Sequence, residues 1–211
     1  MIFAILPVKN PRNAKDRLSG FLSARQREEL ARLLYTQTLS RLCNASGIDR
    51  VVVATSDAEV ADHARRSSVM VFEENEQVSH SVSADAACLR AQRLGATTAL
   101  LVPIDVPLVA CDDFSSLAAG ASPGLIVVPS ADGTGTNALV RTPPDVIESR
   151  FGPGSFRAHM DQARVRGVPA RELRLEGLMF DIDTPEDVAE LLSRSSNSPV
   201  SEFLRTVCAS K

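Results

Sequence analysis

Three aspartates occupy positions from which their carboxylates can bind a divalent metal ion. Asp105 follows an apolar run in the segment Ile104-Asp105-Val106-Pro107, whereas Asp181 and Asp183 are two residues apart. In an extended segment that spacing places both side chains on one side. Mg²⁺ binds one or two carboxylates together with phosphate oxygens and water. Asp105 also suits a turn and Asp183 a helix cap, but the three acids together favour a magnesium site.

A polar loop rich in basic residues follows the first apolar run of the chain. Its cations are Lys9, Arg12, Lys15 and Arg17. Lysine as a point charge and arginine as a planar fork can together hold a triphosphate. The loop matches neither the Gly-x-Gly-x-x-Gly nor the Walker pattern, so it does not indicate NAD or a P-loop. A solvated basic loop is the alternative interpretation.

Two glycine-containing segments, 132–137 and 151–156, form a third candidate region. Glycines let a backbone approach an anion closely, and a helix N-terminus offers free N–H groups to it. The positions expected to contact a second phosphate or a carboxylate are Thr136, Asn137, Gly152 and Ser155. Ordinary turns would also explain both segments.

The histidines do not indicate a nucleophilic or acid–base mechanism. His63 and His80 are predicted to lie at the surface, and His159 follows Ser155 by one helical turn, within reach of the same pocket. No Ser-His-Asp or Cys-His set is suggested by the sequence.

The elements that must position these residues follow a βαβ pattern. Apolar runs predict strands at 2–8, 51–54, 69–72, 98–104, 125–128, 138–141 and 173–175. Helices are predicted between them, capped by Ser23, Asp57, Ser83 and Thr184. Buried runs of this kind indicate a largely parallel sheet covered by helices on both faces. Ligands bind such sheets at the carboxyl ends of the strands, where most of the candidate residues lie.

Composition narrows the class of protein. A length of 211 residues suits one domain, and a net charge of −3 provides no basic field for nucleic acid or an anionic membrane. The four cysteines are far apart, which argues against zinc or a disulfide framework. The first apolar run is short and has no basic residues before it, so we expect a cytoplasmic protein without a signal peptide.

Four motifs in this order resemble the phospholactate guanylyltransferases, which belong to the nucleotidyltransferases similar to molybdenum-cofactor guanylyltransferase. The motifs are Pro7-Val8-Lys9 with Ala14-Lys15-Asp16-Arg17-Leu18, Gly135-Thr136-Asn137-Ala138-Leu139, Phe151-Gly152-Pro153-Gly154-Ser155 and Asp181-Ile182-Asp183-Thr184-Pro185. The likeness spans residues 2–192. It implies a single Rossmann-like α/β domain of the nucleotide-diphospho-sugar transferase type, with a mainly parallel, mixed central sheet.

The resemblance also implies an activity and its partners. A family member transfers GMP from GTP to 2-phospho-L-lactate, phosphoenolpyruvate or 3-phosphoglycerate, releases pyrophosphate, and serves the biosynthesis of the deazaflavin coenzyme F-420. By this likeness Lys15 and Arg17 hold the GTP phosphates and Asp105, Asp181 and Asp183 hold Mg²⁺. Thr136, Gly152 and Ser155 would then contact the acid. A homodimer is left open as the assembly.

The sequence departs from the family pattern in two places. The central acid usually stands in Gly-Asp-Leu-Pro, whereas here Asp105 follows Ile104. The stretch after the third strand usually opens with Gly-Leu-Asn, and here residues 78–85 read Val-Ser-His-Ser-Val-Ser-Ala-Asp. Family members seat the base and sugar in that stretch, so guanine selectivity is the part of the likeness that these departures affect most.

Other functions fit parts of the same pattern. One is a nucleotidyltransferase of this fold with molybdopterin or a sugar phosphate as acceptor. Another is a metal-dependent glycosyltransferase, since Asp181-Ile182-Asp183 matches Asp-x-Asp. A third is a non-catalytic nucleotide-binding module. We assign residues 1–194 to the nucleotidyltransferase domain and 195–211, rich in serine near its start, to a C-terminal interaction tail or disorder.

Overall fold

The computed structural model describes residues 1–75, 79–194 and 197–209 and contains a seven-stranded sheet. The strands are β1 (Ile2–Pro7), β2 (Arg50–Thr55), β3 (Met70–Glu73), β4 (Thr98–Leu101), β5 (Gly124–Pro129), β6 (Thr136–Thr142) and β7 (Ala170–Glu172). Their order is β3-β2-β1-β4-β6-β5-β7. Strand β6 runs antiparallel to β4 and β5, and the other pairs are parallel. The predicted mixed, mainly parallel sheet is confirmed.

Helices connect and cover the strands. They are α1 (Ala24–Cys43), α2 (Ala58–Arg66), α3 (His80–Arg93), α4 (Cys111–Ala119), α5 (Ser155–Val165), α6 (Glu176–Met179), α7 (Pro185–Ser193) and α8 (Pro199–Ala209). Three predicted caps are confirmed: Ser23 and Thr184 form capping boxes with Gln26 and Asp187, and Asp57 accepts the N–H of Val60. Such caps satisfy N–H groups that have no partner within the helix.

Side chains of β1 alternate between two buried layers, as expected for a strand covered on both faces. Ala4 and Leu6 pack with residues of α1, α2, α4 and α6, whereas Phe3 and Ile5 pack with α3 and α5. The sheet is therefore the middle layer of a three-layer α/β domain. In the part of the chain that the structure describes, no helix is both long and apolar enough to cross a membrane.

Three element boundaries differ from the sequence-based expectation. Strand β4 ends at Leu101 rather than at 104, so Asp105 lies in the loop beyond the strand. Helix α3 begins at His80 because Ser79, not Ser83, accepts the N–H of Val82 as the cap. The last strand is β7 at 170–172 rather than 173–175. Of the unusual stretch 78–85, residue 78 lies outside the described residues.

The segment assigned to a tail contains an ordered helix. In α8, Val200, Leu204 and Val207 are buried, and they pack with residues of α1 and α7 in one apolar cluster. Residues 195, 196, 210 and 211 lie outside the described part of the chain. Residues 199–209 are thus part of the same packed body, and a boundary at 194 does not separate them from the domain.

Candidate functional site

Two adjoining cavities open at the carboxyl ends of the central strands. The first, the loop cavity, has a volume of about 370 Å³; its lining includes Lys9, Asn13, Lys15, His80, Asp105 and Phe151. The second, the glycine cavity, has a volume of about 540 Å³; its lining includes Arg17, Ser130, Asp132, Gly152, Ser155 and Asp187. Thr136, Asn137, Asp181 and Asp183 line both cavities. The structure therefore brings all nine predicted site residues to one pair of connected cavities.

Lys15 is a buried cation held by carboxylates. Its φ of 58° is left-handed, and this turns the chain between two 3₁₀ turns so that the side chain points inward. The ammonium lies 3.0 Å from Oδ2 of Asp105, 3.0 Å from Oδ1 of Asp183 and 2.6 Å from the carbonyl oxygen of Ile182. Burial opposes its charge, but attraction by Asp105 and Asp183 outweighs burial and raises the pKa of Lys15.

The loop that carries Asp105 is held by two hydrogen bonds to its backbone carbonyls, one from the 181–183 segment and one from α1. The N–H of Ile182 donates to the carbonyl of Asp105 at 3.0 Å, which joins this loop to the segment that carries Asp181 and Asp183. Helix α1 fixes the same loop through Thr38, whose hydroxyl donates to the carbonyl of Ile104 at 3.2 Å. Burial would raise the pKa of Asp105, but the neighbouring Lys15 ammonium lowers it overall.

Asp181 is positioned by the side-chain amide of Asn137. Nδ2 of Asn137 donates to the carbonyl oxygens of Leu178 and Met179 at 2.9 and 3.0 Å and to Oδ1 of Asp181 at 3.1 Å. Burial, and then repulsion by Asp105 and Asp183, raise the pKa of Asp181. The contact of Asn137 with substrate stays a prediction; in this structure its amide nitrogen positions the segment that carries Asp181.

Asp183 marks the start of α7. Its N–H and that of Thr184 both donate to Oδ2 of Asp187, at 2.8 and 2.7 Å, so the capping box of α7 fixes the backbone beside the site. The guanidinium of Arg17 lies 3.5 Å from Oδ2 of Asp183, and the Arg17 side chain is 71% exposed. Lys15 and Arg17 thus contact the same carboxylate from different sides, one buried and one from solvent.

The carboxylate cluster suits a magnesium ion by its chemistry. Asp105, Asp181 and Asp183 offer only oxygen donors, which Mg²⁺ prefers. Burial, and then repulsion by Asp105 and Asp183, raise the pKa of Asp181, and a divalent cation beside these carboxylates would relieve the repulsion. Within the described ranges, no set of three or more histidine, cysteine or acidic side chains is already spaced to surround a metal. The Lys15 ammonium instead provides the positive charge that contacts Asp105 and Asp183.

The glycine turn before α5 differs from its predicted form. Gly152 and Gly154 have φ of 127° and 72°, conformations that L side chains rarely adopt. Ser155 is 2% exposed and begins the helix at the edge of the glycine cavity. However, the N–H groups of Ser155 and Phe156 donate to the carbonyls of Gly152 and Thr134, at 3.1 and 3.2 Å. The free N–H groups expected at this helix N-terminus are therefore partly occupied by the turn itself.

His80 was expected at the surface, but it lines the loop cavity. Its ring packs edge-on against Phe151 with 4.7 Å between ring centroids, and burial lowers the pKa of His80. His159 packs on Phe151 too, at 5.5 Å, and is fully buried. The serine-rich stretch that opens α3 thus contributes His80 to an aromatic wall whose other member is Phe151.

A buried ion pair missed from sequence supports this wall. Arg141 is 1% exposed and donates to Oδ1 of Asp85 at 2.8 Å and to the hydroxyl of Ser149. Asp85 also accepts the N–H of Ser149, and Ser81 accepts the N–H of Phe151 at 3.0 Å. Helix α3 therefore anchors the 149–151 loop. Arg141 inside an apolar strand was the available signal, because a buried arginine requires a carboxylate partner.

Comparison with known proteins gives a consistent picture. A family model described as guanylyl transferase CofC like matches residues 2–210. A phosphoenolpyruvate guanylyltransferase from Sphaerobacter thermophilus is 38% identical over 89% of this chain and 91% of its own. A 2-phospho-L-lactate guanylyltransferase from Methanothermobacter thermautotrophicus is 32% identical over 96% of this chain and 89% of its own.

The fold is shared with a solved structure of a chain from Desulfovibrio desulfuricans described as of nucleotide-diphospho-sugar transferase type. The TM-score is 0.81 at 16% identity, with 99% of this chain and 95% of that chain covered. Because the sequence identity is low, this structural similarity shows the fold alone. It confirms the predicted fold type, and the matched family model extends over nearly the whole chain. The chain belongs to the family of CofC-like guanylyl transferases.

Proposed function

We propose that this protein transfers a guanylyl group from GTP to a small phosphorylated acid and releases pyrophosphate. The observation that carries the proposal is the pair of cavities that meet at Thr136, Asn137, Asp181 and Asp183. A transfer between two bound molecules needs their reacting atoms side by side, and a shared wall of carboxylates lies where they would meet. The names of the relatives, which are guanylyltransferases, supply the group that is transferred.

The proposed reaction needs no catalytic base. The phosphate of the acid has its second pKa near ~6, so its oxygen is already anionic at neutral pH. It attacks the α-phosphorus of GTP, and pyrophosphate leaves. The protein must align the two anions and offset their charge, which is the main task in phosphoryl transfer. The lack of any Ser-His-Asp or Cys-His set among the candidate residues agrees with this chemistry.

We assign the nucleotide to the loop cavity. Lys9 and Lys15 come from the basic loop, and the aromatic wall of His80 and Phe151 offers a face for the base. Lys15 faces carboxylates in this structure, so its contact with a phosphate requires its ammonium to turn from Asp105 and Asp183. Arg17 lies at the mouth of the glycine cavity, where its exposed guanidinium can approach either bound anion.

We assign the divalent ion to Asp105, Asp181 and Asp183. When bound, Mg²⁺ neutralises the developing charge on the phosphates. The supporting observations are the all-oxygen donor set and the pKa of Asp181, which burial and then repulsion by Asp105 and Asp183 raise. Asn137 keeps Asp181 in place, and the backbone bond between Ile182 and Asp105 keeps the two acidic segments together.

We assign the acid to the glycine cavity. Thr136, Gly152 and Ser155 line it. Arg17 and the proposed Mg²⁺ would offset the carboxylates of the same lining, so that a compact dianion can bind beside them. The acid would be phosphoenolpyruvate, 2-phospho-L-lactate or 3-phosphoglycerate, and the product would serve the formation of coenzyme F-420. A sugar phosphate needs many paired donors and acceptors, so we expect little product from hexose 1-phosphates.

One turnover assay tests the proposal. The purified protein is mixed with each of four NTPs and each of the three acids, with and without Mg²⁺, and products are identified by mass spectrometry. The expected result is a guanylylated acid and pyrophosphate, formed only with Mg²⁺. Product from a hexose 1-phosphate, with none from the three acids, would reject the proposed acceptor. Binding of GTP without any product would support a non-catalytic module instead.

A further inference from the structure

His159 is a fully buried residue directly behind the wall that the two cavities share. It lies on α5 with 0% of its surface exposed. Nε2 of its ring is 2.8 Å from the backbone nitrogen of Arg150, and Nδ1 is 3.0 Å from Oγ1 of Thr136. The ring also packs edge-on against Phe151. Both ring nitrogens are therefore occupied by defined partners.

These contacts fix which nitrogen of His159 carries the proton. The partner of Nε2 is a backbone N–H, which can only donate, so Nε2 must accept and carries no hydrogen. Burial, together with the nearby charge of Arg141, lowers the pKa of His159 to about 4, so the ring is neutral near pH 7. A neutral ring with Nε2 unprotonated has its hydrogen on Nδ1. Nδ1–H must then donate to Thr136.

The orientation of the Thr136 hydroxyl follows from this assignment. A hydroxyl has one hydrogen and two acceptor lone pairs. Since Oγ1 of Thr136 accepts from His159, its own hydrogen is free to point elsewhere. Thr136 is the first residue of β6 and lines both cavities, so the hydrogen can be directed into them. The side chain thus presents a donor where the acid is proposed to bind.

We propose that His159 is a positioning residue that holds the Thr136 hydroxyl as a donor to an anionic oxygen of the phosphorylated acid. The inference rests on the proposed function. His159 does not exchange protons with the substrate, since both of its nitrogens are engaged within the protein. If the ring hydrogen were on Nε2 instead, Nδ1 would accept the Thr136 hydroxyl hydrogen, and the hydroxyl would present only lone pairs, which repel an anion.

Two amide substitutions separate the two contacts of His159. His159→Asn places an amide N–H near the position of Nδ1 and keeps a donor to Thr136. His159→Gln reaches the position of Nε2, so it keeps an acceptor for Arg150 and loses the donor. We expect His159→Gln to raise the KM for phosphoenolpyruvate ~10-fold, because a hydrogen bond to a charged group is lost. We expect the KM for GTP to stay within ~2-fold, and His159→Asn to stay close to wild type in both.

The coupling to Thr136 separates positioning from a structural role. In a Thr136→Val background the hydroxyl is absent, so His159→Gln should cause no further rise in the KM for the acid. A structural role would instead add its effect in both backgrounds. His63→Gln, on α2 outside both cavities, serves as the matched control for a histidine-to-glutamine change. Equal effects of His159→Gln with and without Thr136→Val would overturn the inference.

A second pair of variants applies if the His159 variants do not fold. Thr136→Ser keeps the hydroxyl and should leave the KM for the acid within ~3-fold, whereas Thr136→Val should raise it at least ~10-fold. If both behave as wild type, the hydroxyl does not contact the acid and the inference fails. The proposed function fails separately, when the wild-type protein forms no guanylylated acid at all.

Discussion

The ammonium of Lys15 provides positive charge between carboxylates that would otherwise face one another. It lies 3.0 Å from both Asp105 and Asp183 and is only 6% exposed, whereas the acids are 30% and 37% exposed. Removing one partner of a buried ion pair leaves uncompensated charge, which is more costly than the pair itself is favourable. The same position is where we propose that a divalent cation acts, so lysine and metal should substitute for each other in stabilising the acids.

Lys15→Met tests this substitution. We expect the free energy of unfolding to fall by roughly 2–4 kcal/mol in the absence of metal, since the acids lose their counter-charge. Added MgCl₂ should raise the thermal midpoint of the variant more than that of wild type. Lys9→Met, which removes an exposed cation from the same loop, should change neither quantity. A variant as stable as wild type without metal would show that Lys15 does not stabilise the acids.

A substitution at Asp181 should remove activity without lowering stability, whereas Lys15→Met should lower stability. Its pKa is raised by burial and by repulsion from Asp105 and Asp183, so removing its charge relieves strain in the folded state. Asp181→Asn retains an oxygen to accept the Asn137 amide. We expect unchanged or increased thermal stability, with turnover reduced at least ~100-fold through lost metal binding. Asp161→Asn on the exposed face of α5 is the control, and wild-type turnover by Asp181→Asn would reject the metal assignment.

At the scale of elements, the sequence predicted the type of each element, helix or strand, more accurately than its boundaries. Caps at Ser23, Asp57 and Thr184 are local, since a side chain bonds the N–H three residues on, and they were predicted correctly. The end of β4 depends on where β6 stops pairing with it, a tertiary fact that no local pattern contains. The predicted start of α3 was four residues late because both Ser79 and Ser83 suit an N-cap, and in the structure Ser79 is the cap.

Gly177 shows how a short element controls the site. It lies in α6, whose carbonyls at Leu178 and Met179 hold the Asn137 amide. A Cβ at this position would lie 2.3 Å from Oδ2 of Asp113 and 3.0 Å from the carbonyl of Leu108. The Asp113 carboxylate, which accepts the N–H of Ala110 at the start of α4, must therefore shift, and the backbone at Leu108 must give way by a few tenths of an ångström.

Gly177→Ala should consequently displace α6. We expect a loss of roughly 1–3 kcal/mol in unfolding free energy, the usual cost of overpacking, together with reduced turnover as Asn137 loses its partners. Urea unfolding and a steady-state assay measure the two effects. Gly20→Ala is the control, because no atom lies within 4 Å of its Cβ, and it should be neutral. If both variants behave alike, α6 is not tightly packed against α4.

At the scale of the whole molecule, chain topology assembles the site from distant segments. Residues near 15, 105, 136 and 181 meet because the ends of β1, β4 and β6 are neighbours in the sheet. The rule that ligands bind at strand ends predicted this gathering from sequence. The burial of Lys15 among the acids was not predictable, since a basic loop suggested phosphate contacts alone. Nor was the docking of α8, because the serine-rich start of residues 195–211 indicated a tail.

The pH dependence of stability is a property of the whole molecule to which His159 contributes between about pH 6.5 and 4. Its pKa is lowered to about 4 in the folded protein, so in this window the unfolded state binds more protons. Stability therefore falls as pH decreases, by up to ~1.4 kcal/mol per pH unit for one proton. His80, whose pKa is also lowered by burial, acts in the same direction, and Asp181, with a raised pKa, opposes it. Urea unfolding at several pH values should give a shallower slope of stability against pH for His159→Asn than for wild type. An unchanged slope in His159→Asn would mean that burial does not lower the pKa of His159 in the folded protein.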